Sequence, residues 1–128
     1  MSALIAEVKA NAKVGSPDQD DILFGPVNNA NQLARVQGFI ERVPSHAQIE
    51  VGGGRIGSQG YFLEPTVISG FKQSDEHIQE EIFGPVLAVT TFKTTEEALE
   101  IANDTLYGLG AGVWTRDAHE LYTVPRAI

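Results

Sequence analysis

Leu4, Ile5, Val8 and Ala12 recur at helical spacing behind Ser2, which is placed to cap a first helix that Gly15, followed by Ser16 and Pro17, can end. Asp18 to Asp21 reads as polar loop. From about Asn31 to Arg42, Leu33, Val36, Ile40 and Val43 mark one apolar face of a second helix, which Pro44 closes because it has no N–H to donate. Gln48 to Val51 alternates as a strand does and runs into three glycines. Tyr61 to Ile68 is aromatic and β-branched, a second strand in which Pro65 argues for an edge position or a bulge. Val86 to Phe92 (VLAVTTF) is apolar without alternation, the pattern of a strand covered on both faces.

Thr94 with Glu97 forms a capping box ahead of Ala98, Ile101 and Ala102, the stripe of a short helix. Leu109 to Thr115 is expected to be a further strand, with Trp114, the only tryptophan, in the core. A last helix opens at Asp117, with Glu120 three residues on, and Pro125 requires it either to stop near Thr123 or to kink. Strands alternating with helices define the fold class as α/β, built from βαβ units into a mostly parallel sheet with flanking helices.

Composition narrows the function. The 128 residues suffice for one domain, or a piece of one, with a modest core. Acidic residues outnumber basic ones by 17 to 9, and a net charge of -8 repels phosphate backbones and anionic lipid, so neither nucleic acid nor a membrane is an expected partner. The N-terminal stretch carries no apolar signal region, and no segment approaches the roughly 20 apolar residues that cross a bilayer, which implies a soluble, cytoplasmic chain. The absence of cysteine removes disulfides, thiolate metal sites and thiol nucleophiles from these residues.

Gly52 to Gly57 matches G-x-G-x-x-G after a strand, but a dinucleotide fingerprint needs a helix to begin inside the motif. Ser58, Gln59, Gly60 and another strand follow instead, so a flexible β-connection is the better reading. His46, His77 and His119 lack ligand-spaced partners, and no G-x-S-x-G elbow presents a serine. The densest unusual segment is Gln79 to Val86, where two carboxylates, an aromatic and a Gly-Pro turn precede a strand. In an extended segment adjacent side chains point to opposite sides, so one of Glu80 and Glu81 can face a cleft and accept hydrogen bonds from ribose hydroxyls, with Phe83 beside a heterocycle. On these residues alone, a solvated acidic turn with Phe83 in the core accounts for the segment better.

A resemblance changes that balance. EEIFGPV followed by VTTFKTTEEALEIANDTLYGLGAGVWTRD, preceded by FGPVNNANQLARVQGFIE and VGGGRIGSQGYFLEPTV, resembles NAD(P)-dependent aldehyde dehydrogenases in order and spacing, from about Ile5 to Thr115. The first two segments look most similar to members acting on amino aldehydes, such as γ-aminobutyraldehyde and betaine aldehyde. GLGAGVWTRD is equally at home in those for short aliphatic aldehydes.

The resemblance implies that the complete enzyme oxidises an aldehyde to an acid through a cysteine thioester, with NAD or NADP as cofactor and as a homo-oligomer. By motif position, Glu81 should hydrogen-bond the nicotinamide ribose and Phe83 should pack beside the nicotinamide. Gln32 and Arg35, on a helix that approaches the cofactor in relatives, are offered as weaker contacts. Asn103, Asp104, Tyr107 and Gly108 should serve turn geometry and packing. The chain is therefore expected to be part of the catalytic domain, without the Rossmann half, the nucleophile or the general base. No residue here is expected to be catalytic. The alternative is a stand-alone, non-catalytic remnant or interaction protein of the same descent. A small nucleotide-binding module requires Gly57 to begin a helix.

Overall fold

In the computed structural model, which describes residues 1–128, the longest helix, α2 (Ala30–Glu41), starts at Asn29, whose side chain accepts the Gln32 N–H. Such a cap satisfies one of the donors a helix start leaves unpaired. Leu33, Val36, Phe39 and Ile40 form its buried face and meet Leu63 and Ile82 in the main apolar cluster. Helix α1 (Ser2–Asn11) buries none of its residues and begins after Met1, so Ser2 lies inside the first turn and caps nothing.

The sheet has three strands in the order β1 (Gln48–Val51), β2 (Thr66–Ser69), β3 (Val86–Val89). It is mixed: β2 and β3 run parallel, with Thr66 opposite Val86 and Ser69 opposite Val89, whereas β1 and β2 run antiparallel. The crossover between β2 and β3 holds the four-residue helix α3 (Glu76–Gln79), too short to leave a periodic signal in the sequence. In the antiparallel pair the register shifts between Ile49 and Val51. Strand β2 is central and starts directly after Pro65, so the proline sits ahead of the ladder rather than on an edge strand.

The glycine run after β1 is a β-connection. Gly52 has φ +77, and a Cβ there would stand 2.3 Å from the Pro65 carbonyl oxygen, so the close approach of the two backbone segments requires glycine. The Gly53 N–H donates to Thr66 Oγ1 and the Gly54 N–H to Glu64 Oε2, each at 2.9 Å. These donors are spent inside the chain and no helix begins at Gly57, which removes the phosphate-cradle reading.

The chain divides into two compact units, Met1–Thr90 and Thr91–Ile128. The second contains α4 (Thr95–Asn103) and α5 (Ala118–Thr123). Thr94 caps α4 by accepting the Glu97 N–H, while the Glu97 carboxylate reaches the Lys93 N–H. Asp117 caps α5 through the N–H groups of His119 and Glu120, and the chain passes at Val124–Arg126 into a 3-10 turn that accommodates Pro125. The Glu120 carboxylate accepts the hydroxyls of Thr95 and Thr115, both at 2.8 Å. Leu109 to Thr115 forms no strand, and Trp114 is 98% exposed rather than in a core. A strand exists by its ladder, and none of these 128 residues pairs with this segment.

Candidate functional site: the Glu81–Phe83 segment on helix α2

Ile82 is buried in the apolar cluster against α2, and its neighbours Glu81 and Phe83 are both exposed. Phe83 is 69% exposed, against the core placement that its residue type alone suggests. Its φ of +56 lies in the left-handed region, which a bulky residue adopts only when its surroundings enforce it. That enforcement comes from α2. The side-chain nitrogen of Gln32 donates to the carbonyls of Ile82 at 3.0 Å and Phe83 at 2.8 Å, and Arg35 donates to the carbonyl of Glu81 at 2.8 Å. Three consecutive backbone acceptors are thus held by two side chains one helical turn apart.

Close packing completes the clamp. A Cβ on Gly84 would lie 2.5 Å from Val36 Cγ2, so only glycine lets the backbone after Phe83 rest on the helix. Upstream, α3 is pinned by His77. Its Nε2 lies 2.7 Å from the Phe39 carbonyl, which assigns the ring proton to Nε2, and the ring stacks on Phe71 with centroids 4.8 Å apart. Nδ1 of the same ring is buried without a partner.

Charged groups fasten the approach to this segment. Arg42 forks onto Glu76, with contacts of 2.9 and 3.2 Å, and holds its carboxyl below the ordinary 4.5. His46 Nε2 lies 2.8 Å from Asp75 Oδ2, which also accepts the Lys72 N–H. These two hydrogen bonds, His46 first, depress the Asp75 carboxyl below its usual 3.8. An open cleft of about 430 Å³ beside the segment is lined by Arg35, Phe39, Arg42, Glu76 and Glu80 among others. The guanidinium groups of Arg35 and Arg42 both lie about 5 Å from the Phe39 ring centroid.

The structure therefore brings together all of Gln32, Arg35, Glu81 and Phe83. It also shows what sequence reasoning missed: the first two engage the backbone that carries the other two. The partners are 46 to 51 residues apart, beyond any local pattern. Asn103, by contrast, donates to the Ala127 carbonyl at 2.8 Å, and Tyr107 N–H reaches Thr105 Oγ1, which are packing and turn roles.

The α/β scaffold thus carries the Glu81 carboxylate and the Phe83 ring, both exposed, on one strained segment that side chains of α2 hold in place. The comparisons name the family. Residues 1–128 match the model of the aldehyde dehydrogenase family, and the chain belongs to it. It is 41% identical to an aldehyde dehydrogenase of Paracoccus denitrificans over its whole length, covering 26% of that protein. It is 49% identical to a 1-pyrroline-5-carboxylate dehydrogenase of Staphylococcus haemolyticus over 77% of the chain and 19% of the relative. Among solved structures, betaine aldehyde dehydrogenase of Staphylococcus aureus in complex with NAD+ superposes with a TM-score of 0.92 at 35% identity, over 99% of this chain and 26% of that one. The chain thus spans about a quarter of the length of proteins that match all of it. No helix is long and apolar enough to cross a membrane.

Proposed function

We propose that this chain is the part of an NAD(P)-dependent aldehyde dehydrogenase that holds the nicotinamide riboside end of the cofactor, and that it has no turnover of its own. The observation that carries this reading is the α2 clamp on the Glu81–Phe83 backbone. With the carbonyls of residues 81 to 83 turned to Gln32 and Arg35, what the segment offers a ligand is the Glu81 carboxylate and the Phe83 ring. The residues fit the cofactor chemically: a carboxylate accepts two vicinal hydroxyls, and an exposed phenyl ring on a rigid backbone lies against a flat heterocycle.

When bound, NAD(P)+ supplies the acceptor for the hydride leaving the aldehyde-derived adduct. Glu81 orients the ribose and Phe83 limits the rotation of the nicotinamide ring, which lowers the entropic cost of a productive approach. Arg35 has donors left beyond the one given to Glu81, and Gln32 keeps its side-chain oxygen, so both can add weaker cofactor contacts. The thiol that attacks the aldehyde is not among these 128 residues. The substrate is an aldehyde; amino-aldehyde and short aliphatic aldehydes both accord with the motifs. A homo-oligomeric, cytoplasmic complete enzyme accords with the family, and the acidic surface disfavours nucleic acid and anionic membranes as partners.

The test is NAD(P)H formation at a panel of aldehydes, first with the purified chain and then with a chimera in which it replaces the matching quarter of the Paracoccus denitrificans relative. A flat trace from the chain and turnover from the chimera are expected. Glu81→Gln in the chimera should slow hydride transfer on the order of tenfold, as loss of a charge-assisted hydrogen bond does. Unchanged turnover and cofactor affinity in that variant would remove Glu81 from the site, and turnover by the chain alone would reveal a nucleophile other than cysteine.

A further inference from the structure

The segment from α3 to Phe83 lies along α2 in the reverse direction. Glu76 meets Arg42, His77 meets the Phe39 carbonyl, and the carbonyls of Glu81, Ile82 and Phe83 accept from Arg35 and Gln32. The segment is therefore tied to the helix at two ends, which the rise from Gln32 to Phe39 sets about 10 Å apart. At the α3 end the fastening falls to His77. Helix α3 is a single turn of four residues with no side-chain cap, too short to hold its own place. The Arg42–Glu76 pair is exposed on both sides, where an ion pair contributes little. His77 is 4% exposed, lies flat on Phe71 and edge-on to Phe39, and its Nε2–H donates to the Phe39 carbonyl at 2.7 Å. That carbonyl is in the last turn of α2, among the acceptors that a helix end leaves without a partner, so His77 caps α2 from a neighbouring element. An apolar residue would fill the same space with no buried nitrogen left over, whereas Nδ1 of His77 is buried without a partner. What the histidine gains over an apolar residue is the Nε2 bond.

We propose that His77 is a positioning residue for hydride transfer. By capping α2 and holding α3 against it, His77 fixes the far end of the segment whose other end presents Glu81 and Phe83 to the nicotinamide riboside. The proposal rests on the cofactor reading above. His77 acts through the backbone and not by touching the cofactor: Glu81 follows it by four positions, so a shift of α3 reaches the carboxylate rather than being absorbed on the way. A misplacement of about 1 Å at the reacting groups can lower a rate by roughly 100-fold, so even partial loosening is measurable.

The test compares His77→Leu, which keeps the bulk and removes the donor, with His77→Gln, which keeps an N–H of similar reach, in the chimera with the Paracoccus denitrificans relative. Two quantities are read. One is amide exchange of Ile78, Gln79 and Glu80, whose N–H groups bond back to Asp75 and Glu76; the other is the rate constant of NADH formation in a single turnover with enzyme and NAD+ saturating. That rate constant does not depend on the fraction of molecules folded, so a merely structural role leaves it unmoved. His77→Leu is expected to speed α3 exchange about tenfold with the β2–β3 ladder amides unchanged, and to slow the single turnover about tenfold. His77→Gln should restore most of both. A His77→Leu chimera with the parent's rate constant overturns the proposal, and so does a His77→Gln chimera as slow as His77→Leu. Should His77→Leu not fold, Phe71→Leu, which removes the ring stacked on His77, takes its place. The same changes at smaller amplitude are then expected, and an unchanged rate constant overturns the proposal. Glu81→Gln separates the two readings, since it leaves α3 exchange as in the parent. If it does not slow the turnover, the cofactor reading fails; if it does and His77→Leu does not, the positioning role alone fails.

Discussion

The side-chain nitrogen of Gln32 lies 2.8 Å from the Phe83 carbonyl and 3.0 Å from that of Ile82, so a residue in the first turn of α2 fixes the left-handed backbone of a residue 51 positions later. Both donors of one amide are committed to this task. Gln32→Ala leaves two carbonyls to water and the strained conformation at Phe83 without support. Loss of about 1–2 kcal/mol of stability is expected, read as a lower urea midpoint at unchanged slope. An unaltered midpoint would mean that the segment is held by packing alone.

Gly84→Ala tests that packing. The added methyl meets Val36 Cγ2 at 2.5 Å, and Val36 is fully buried on α2, with little room to yield. Overpacking of this kind costs about 1–3 kcal/mol. Gly84→Ala combined with Val36→Ala should recover part of that loss through the space vacated, and a double variant no better than the sum of the two singles would place the clash elsewhere.

Much of this was legible in the chain. The apolar period of α2, the Thr94 and Asp117 caps and the strand at Gln48–Val51 follow from short-range chemistry, and each appears where local pattern puts it. The α/β class is present as well, in a mixed sheet rather than a mostly parallel one, because local pattern does not encode the direction in which β1 meets β2. Phe39 joins the buried face of α2, though the period was read through Leu33, Val36, Ile40 and Val43, the last of which lies past the end of the helix and is only half-buried. Where pairing partners decide the outcome, local pattern says less: Leu109 to Thr115 has strand composition and no ladder, and β3 stops at Val89 rather than Phe92. The site residues were named by motif, but the direction of the Gln32 and Arg35 bonds, inward to a backbone, is a long-range fact.

Acid should loosen the approach to the site. Asp75 and Glu76 have folded-state values depressed below 3.8 and 4.5 by His46 with the Lys72 N–H, and by Arg42, respectively. A depressed carboxyl contributes stability above its unfolded value and loses it as pH falls through the folded one, so the contribution is present at neutral pH and fades below about pH 4. Unfolding by urea at about pH 6 and about pH 3 should show a smaller acid loss in Asp75→Asn and Glu76→Gln than in the parent chain. Equal losses would show that other carboxylates set the acid limit.

Phe83→Gly separates what the residue costs from what it does. A left-handed φ of +56 is strained for phenylalanine and free for glycine, and the 69% exposed ring gives up little burial when removed. Relief of strain is worth about 1 kcal/mol or more, offset in part by the greater entropy of an unfolded glycine, so the variant should match or exceed the parent in urea midpoint. In the chimera the same change removes the surface proposed to lie against the nicotinamide. Hydride transfer should fall, and the loss should exceed that of Phe83→Leu, which keeps apolar bulk but also keeps the strain. A variant both less stable and fully active would assign Phe83 to packing. A variant at least as stable as the parent and slow would mean that the chain retains a strained residue because its ring is needed at the ligand.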